Sequence, residues 1–498
     1  MRRLRIEPPT SQPLIASLQP MAELHDLTAL EAAAAIRDRQ LSATELVEHC
    51  LDRIGRLDGE LGAFVTVTEQ AARTQAAQAD QAVLAGEPLP PLHGVPTAIK
   101  DLNQTAGVPT KYGSRTMADC VPSVDDHVVR LLRQAGTISL GKTATPEYGL
   151  SCYTESDLGP PARTPWDTSR LAGGSSGGAA AAVAAGLLPI AQGSDGGGSI
   201  RIPASVNGLF GLKTSRGRIS RGPLDLDPTG LSVLGSLART VRDAAAFLDV
   251  TAVPQVGDLT WAPPLPAGES FLAWCDRSPE RLRIGRYLDP PVPGAEVDPE
   301  CRAAWERGSA LLAELGHEVV DIELPVPPET IAAFEVVWAV SAATIPVPAD
   351  REHLLRPLSR YLRERGRQVS GAAFAAAMGQ LNLISRQAIT ATAGFDALLT
   401  PTLAQPPRPV GWFCGSEADP VDPAEDFERQ KRFTPYTAVY NVSGQPAASL
   451  PLYWTPDDLP IGVMLIGRPA GEAPLLALCA QLEQAAPWAD RHPPIWRR

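Results

Sequence analysis

A chain of 498 residues with 42 glycines and 49 prolines is long enough to bury a large core, and its composition is not that of a disordered protein. A formal net charge of −12, with no long basic block, disfavours nucleic acid and an anionic membrane surface as partners. Seven scattered cysteines without a C-x-x-C pair disfavour a disulfide framework and a zinc site, and predict reduced thiols in a cytoplasmic protein. The start, MRRLRIEPPTSQP, is basic but lacks the apolar region of a signal peptide. The length allows two or three average domains, and residues 1–24, interrupted by prolines, predict a mobile N-terminal segment.

Helical periodicity begins at Leu27 with LTALEAAAAIRDRQ and resumes in SATELVEHCLDRIG, where Ser42 and Glu45 form a capping box. A third helix is predicted over Glu69–Leu84. HGVPTAIKDL reads as a turn and a short buried strand ending at Lys100 and Asp101. A lysine closing an apolar strand either reaches out to water or pairs with Asp101. Alternatively it is desolvated and works as a neutral base. Ser123 and Asp126 predict the start of a helix through DHVVRLLRQAG, with Gly136 just past its end.

Two motifs mislead. Gly136 to Thr143 satisfies G-x-x-x-x-G-K-[ST] in full, but it follows a helix, its middle is strand-like and Pro146 comes soon after. The expected order is helix, turn, strand, with no nucleotide at Lys142. Gly173 to Gly177 fits the G-x-S-x-G elbow. The preceding ARTPWDTSRLA is polar, however, and His317, His353 and His492 read as structural or exposed rather than as partners.

The two glycine clusters, Gly173–Gly178 around Ser175 and Gly196–Ser199, flank an alanine-rich run. The run Ala179–Ala191 contains Gly186 and Pro189 and is too short to cross a bilayer. Neither cluster has dinucleotide or phosphate spacing. Consecutive amides over Gly196, Gly197, Gly198 and Ser199 predict a nest able to hold an oxyanion, provided a base activates a serine.

Beyond Pro203 the units alternate: LFGLKTSRGRIS as strand and turn, a helix over Thr240–Leu248, and an irregular stretch from Val253 to Pro293. A strand over Arg283–Leu288, a helix over Asp298–Leu315 and a strand over His317–Leu324 follow. Residues 325–440 read as helical and loop-rich. Trp338, Trp412, Phe413 and Cys414 there are candidates to face a substrate, although core packing is the favoured role of each. NVSGQPAASLPLY and GVMLIG predict late strands, and Pro474–Ala486 a closing helix.

Lys100, Ser175 and Ser199 lie within GVPTAIKD, GGSSGG and GSDGGGSIRIPAS, and on these motifs the chain resembles the amidase signature hydrolases. LGKTATPEYG and NVSGQPAASLPLY…DDLPIGVMLIG are also similar to that family. The resemblance implies an α/β fold in a single domain over 25–498: a large mixed β-sheet with helices on both faces, and residues 254–440 as a substrate-shaping lobe. It implies Ser199 as nucleophile, Ser175 after a cis peptide as proton relay and Lys100 as base. Gly196 to Ser199 would be the oxyanion hole, with Asp195 and Arg201 paired behind it. Two positions depart from the pattern: Gly196, where a larger residue is common, and Thr164, where asparagine is common.

The implied activity is hydrolysis of an amide, anilide, lactam or carbamate, without cofactor or metal. The nearest branches in look are cyclic nylon-oligomer hydrolases, aryl acylamidases and urethanases. The alternative within the resemblance is an amidotransferase subunit that acts only in a complex. The expected partner is a small-molecule amide or carbamate, with no nucleic acid and no membrane, and a homodimer is allowed.

Overall fold

The computed structural model describes residues 23–224 and 227–498. Apart from Glu23 and Leu24, the N-terminal segment expected to be mobile lies outside the described residues. Thr28 and Ser42 each begin a helix, Ala29–Arg37 and Ala43–Leu61, with reciprocal bonds to Glu31 and Glu45. These satisfy amide groups that a helix start otherwise leaves unpaired. The predicted third helix runs over Glu69–Ala85.

Two sheets carry the architecture. The small one has β1 (Phe64–Val67), β2 (Pro96–Lys100) and β3 (Ile138–Thr143), in the order β1-β3-β2. The large one contains β4 (Ile190–Asp195), β5 (Phe210–Lys213), β6 (Val233–Ala238), β7 (Arg283–Arg286), β8 (Glu318–Asp321), β9 (Ala397–Pro401), β10 (Ala447–Trp454) and β11 (Pro460–Gly467). Its order is β4-β6-β5-β10-β11-β9-β7-β8. The pairs from β4 to β9 are antiparallel, while β9-β7 and β7-β8 are parallel, so the sheet is mixed.

Helices cover both faces. A Cβ at Gly462 would meet Ser205 of the helix Arg201–Asn207, whereas the next residue, Val463, packs on Gly308 of the helix Pro299–Glu314. Successive strand residues point to opposite faces, so these two helices lie on opposite sides. The edge of the small sheet lies along β4: Thr97 Oγ1 donates to the Ile190 carbonyl at 3.0 Å. The helix Gly177–Ala184 is buried along its whole length. Its alanines and glycines allow close approach, for a Cβ on Gly178 would come within 2.4 Å of the Ala63 carbonyl.

Four details differ from the sequence reading. The helix after Asp126 runs over His127–Gln134, and Asp126 does not cap it through its side chain. That carboxylate instead accepts from Asn103 Nδ2 and the Gln104 amide, each at 3.0 Å. Strands β1, β4, β6 and β9 lie where no strand is expected. The segment 254–440 supplies β7, β8 and β9 to the large sheet, so it shares the main core as well as carrying helices above it. No helix among the described residues is long and apolar enough to cross a membrane.

Candidate active site

Lys100 closes β2 and is fully buried. Its Nζ lies 2.8 Å from Ser175 Oγ, 3.0 Å from Ser194 Oγ and 3.3 Å from the Ser194 carbonyl. Burial pulls its pKa down to about 7, with the Asp195 carboxylate pulling the other way. At neutral pH a large share of this amine therefore carries a lone pair. The Lys100 amide is held by Gln192 Oε1 at 2.9 Å. Gln192 and Ser194 alternate along β4, which brings both side chains to the edge that meets β2.

Ser175 follows a cis peptide after Gly174 and sits at the entry to the helix Gly177–Ala184. Gly149 packs on it. Its φ is +69°, and a Cβ there would lie 3.2 Å from Ser175 Oγ and 2.8 Å from Leu102. A side chain at 149 would crowd the hydroxyl.

Ser199 lies in the loop between β4 and the helix Arg201–Asn207. Among the described residues its Oγ has no hydrogen-bond partner, so the two serines brought together by the sequence reading are not bonded to each other here. They line adjoining hollows. Ser175, Ser194 and Gly196 line a cavity of about 500 Å³. Ser199 and Gly197 line one of about 100 Å³. Gly149, Leu150 and Trp338 form walls of both.

The amides of Gly196, Gly197 and Ser199 have no partner among the described residues. The amide of Gly198, expected with them as an oxyanion donor, is taken by Asp195 Oδ1 at 2.8 Å. The carboxylate bends back under the loop and also accepts from Ile200 N at 3.1 Å, which turns the Gly198 N–H inward. Gly198 has a φ of +136°, and a Cβ there would meet Thr437 Oγ1 at 2.4 Å.

Asp195 and Arg201 form a fully buried bidentate pair, Oδ1 to Nη2 at 2.8 Å and Oδ2 to Nε at 3.0 Å. Burial pushes the Asp195 carboxyl up, but the guanidinium outweighs it and holds the group well below the carboxylate range. Asn441 completes the knot, accepting from Arg201 Nη2 at 2.7 Å and donating to Asp195 Oδ1 at 2.9 Å.

Of the four candidates in 325–440, the structure brings only Trp338 to these cavities. Phe413 is buried against Tyr153, rings stacked at 4.7 Å. Trp412 lies under Arg408 at 4.7 Å, and Cys414 Sγ donates to Glu155 Oε2 at 3.1 Å. Ser194, Gly149 and Asn441 were not singled out from the sequence. For Ser194 the usable signal is its i+2 relation to Gln192 on a strand that ends at the glycine cluster.

Lys142 lies on β3 as expected and is fully buried. Its Nζ donates to Thr105 Oγ1 and Thr110 Oγ1, each at 3.1 Å, and to the Asn103 carbonyl, with no helix N-terminus to receive phosphate. The five glycine-rich residues around Ser175 likewise follow no strand, which removes the elbow geometry. His317 is structural: Nδ1 accepts from the Leu282 amide and Nε2 bonds Gln481. Among the described residues no group of three or more His, Cys, Asp or Glu side chains is placed to hold a metal.

The family model named Amidase matches residues 45–476. The chain belongs to the amidase family. It is a hydrolase of amide carbon–nitrogen bonds. The chain is 40% identical over 474 residues to a putative amidase AmiB2 of Mycobacterium tuberculosis, covering 94% of this chain and 99% of that one. It is similar in structure to a 6-aminohexanoate cyclic dimer hydrolase complexed with substrate, with a TM-score of 0.87 and 33% identity over 95% of this chain and 99% of that one. It is also similar to a bacterial aryl acylamidase of the amidase signature family, with a TM-score of 0.85 and 28% identity at the same coverage. The amidase fold and these relatives agree with the resemblance read from the motifs.

Proposed function

We propose that this amidase cleaves small neutral amides, anilides, lactams or carbamates through an acyl-enzyme on Ser199. The observation that carries the reading is the buried contact of 2.8 Å between Lys100 Nζ and Ser175 Oγ, with the lysine pKa drawn down to about 7. Ser199 Oγ attacks the carbonyl carbon, and its proton passes to Ser175 as the Ser175 proton passes to neutral Lys100. The oxyanion meets the amides of Gly196, Gly197 and Ser199, with Gly198 left to Asp195. As the carbon–nitrogen bond breaks, Ser175 returns a proton to the departing nitrogen and regains one from Lys100. Water then attacks the acyl-enzyme by the same relay. Residues 254–440 shape the substrate space through the helix Glu329–Thr344, which carries Trp338. No cofactor enters this scheme, and a cytoplasmic setting suits its unpaired thiols.

The test is turnover of a short aliphatic amide, an anilide, a lactam and a carbamate by the purified chain, followed against pH. Because the base must be neutral, kcat/KM is expected to rise about tenfold per unit up to about pH 7 and then level. Lys100→Ala should lose about 10²–10⁴-fold, partly regained at high pH where hydroxide replaces the amine. A flat wild-type profile between about pH 5 and 9 would remove Lys100 as the base. A lone chain inert on the whole panel, but active once a second subunit is supplied, would favour the amidotransferase alternative.

A further inference from the structure

Catalysis as proposed needs the acyl carbon at Ser199 and the departing nitrogen at Ser175. Ser175 and Ser199 line adjoining hollows of very different size, about 100 Å³ on the Ser199 side and about 500 Å³ on the Ser175 side, which share Gly149, Leu150 and Trp338 as walls. We propose that Trp338 is the partition that sorts the substrate, admitting a short acyl group beside Ser199 and a bulky, flat amine beside Ser175. This rests on the roles assigned to the two serines above.

Trp338 is placed for this. Its ring lines both hollows and lies 3.6 Å from where a Cβ on Gly196 would be, so it occupies the space that a larger residue at 196 would fill. Phe334, one turn earlier, stacks on it at 5.5 Å and 19° and covers Gly197. The wall is clamped from outside. Glu335 pairs with Arg365 at 3.1 Å and with Lys431, which ties the Glu329–Thr344 helix to the helices Pro357–Arg367 and Pro423–Phe433. A wall tied to two neighbouring helices does not yield easily to a longer acyl chain.

The larger hollow is built for a ring. Tyr112 and Tyr148 line it opposite the tryptophan, rings 6.3 Å apart. Both have positive φ, 53° and 52°, a conformation that residues with side chains rarely adopt and that persists where the surroundings fix it. The Tyr148 amide donates to the Tyr112 carbonyl at 2.7 Å, and Tyr148 Oη bonds Thr116 Oγ1.

The test is a series of anilides from acetyl to octanoyl, which keeps the leaving group constant. Wild-type kcat/KM is expected to fall about tenfold or more between butyryl and octanoyl, the size of an overpacking penalty. Trp338→Ala, or Trp338→Leu if the alanine variant does not fold, should reduce that fall to about threefold or less while joining the two hollows. A wild-type rate that is flat or rising with acyl length overturns the partition, and so does an unchanged fall in a folded Trp338 variant. Failure on every anilide while a fluorophosphonate still labels Ser199 also overturns it. A Ser199 that resists the label overturns the catalytic reading beneath it, a result distinct from the others.

Discussion

Ser199→Ala is expected to abolish turnover, with kcat falling by about 10⁶, the loss seen when a serine nucleophile is removed from a working set. What remains would come from the oxyanion donors and from substrate binding. Ser175→Ala should cost less, about 10²–10⁴, because it removes a proton path and leaves the nucleophile in place. A fluorophosphonate separates the two roles without relying on rates. The free amides of Gly196, Gly197 and Ser199 surround the Ser199 hydroxyl, so its phosphonyl oxygen has donors to meet. Ser175 instead bonds Lys100 at 2.8 Å. Peptide mapping should find the adduct on Ser199, and an adduct on Ser175 would exchange the assignments.

Arg201→Met should produce the largest loss of stability, about 3–5 kcal/mol in urea denaturation, because it strands the Asp195 carboxylate in a fully buried site. The pair is also what turns the Gly198 amide away from the substrate, so the variant should lose activity in whatever fraction stays folded. Adding Asp195→Asn removes the stranded charge. The double variant is therefore expected to be more stable than Arg201→Met alone, a coupling that a double-mutant cycle reads directly. A cost below about 1 kcal/mol for Arg201→Met would mean that the pair contributes no more than an exposed one.

Much of the site was legible because its chemistry sits where the pattern of the chain breaks. Lys100 ends an apolar strand, and Ser175 and Ser199 sit in glycine clusters, positions that packing alone does not demand. What escaped depends on contacts between distant segments. Ser194 looks like the tail of an apolar run until β4 is seen to continue past Gly193 and to lie along β2. The diversion of the Gly198 amide depends on how the Asp195 carboxylate folds under its own loop, and no spacing rule reports that. Trp338 could not be told from Trp412 or Phe413, since all three are aromatic residues in helical or loop-rich sequence. Only the stacking of Phe413 on Tyr153 and the arginines around Trp412 separate them. In the fold, β6 and β9 were hidden for a related reason: VLGSLA and ALLTP are short and apolar, and periodicity cannot distinguish such runs from helix.

The buried lysines also make folding a proton-exchange event. Lys100 and Lys213 are drawn to about 7 and Lys142 to about 8 by burial, against an ordinary 10.5. Between those values the unfolded chain carries protons that the folded chain has shed, so stability rises with pH through that window. Burial acts oppositely on the seven thiols, all raised above their ordinary 9.0, three of them to about 12. Above pH 9 the unfolded chain loses thiol protons that the folded chain keeps, and stability falls again. Asp58 and Asp101, raised to about 6, and Glu483, raised to about 7, take up protons on folding in acid and give them up as the pH passes through those values. Folding therefore releases protons from the lysines on the alkaline side of neutrality and takes them up at the thiols above their ordinary 9.0, a reversal of sign that calorimetry in buffers of different ionisation heat would read.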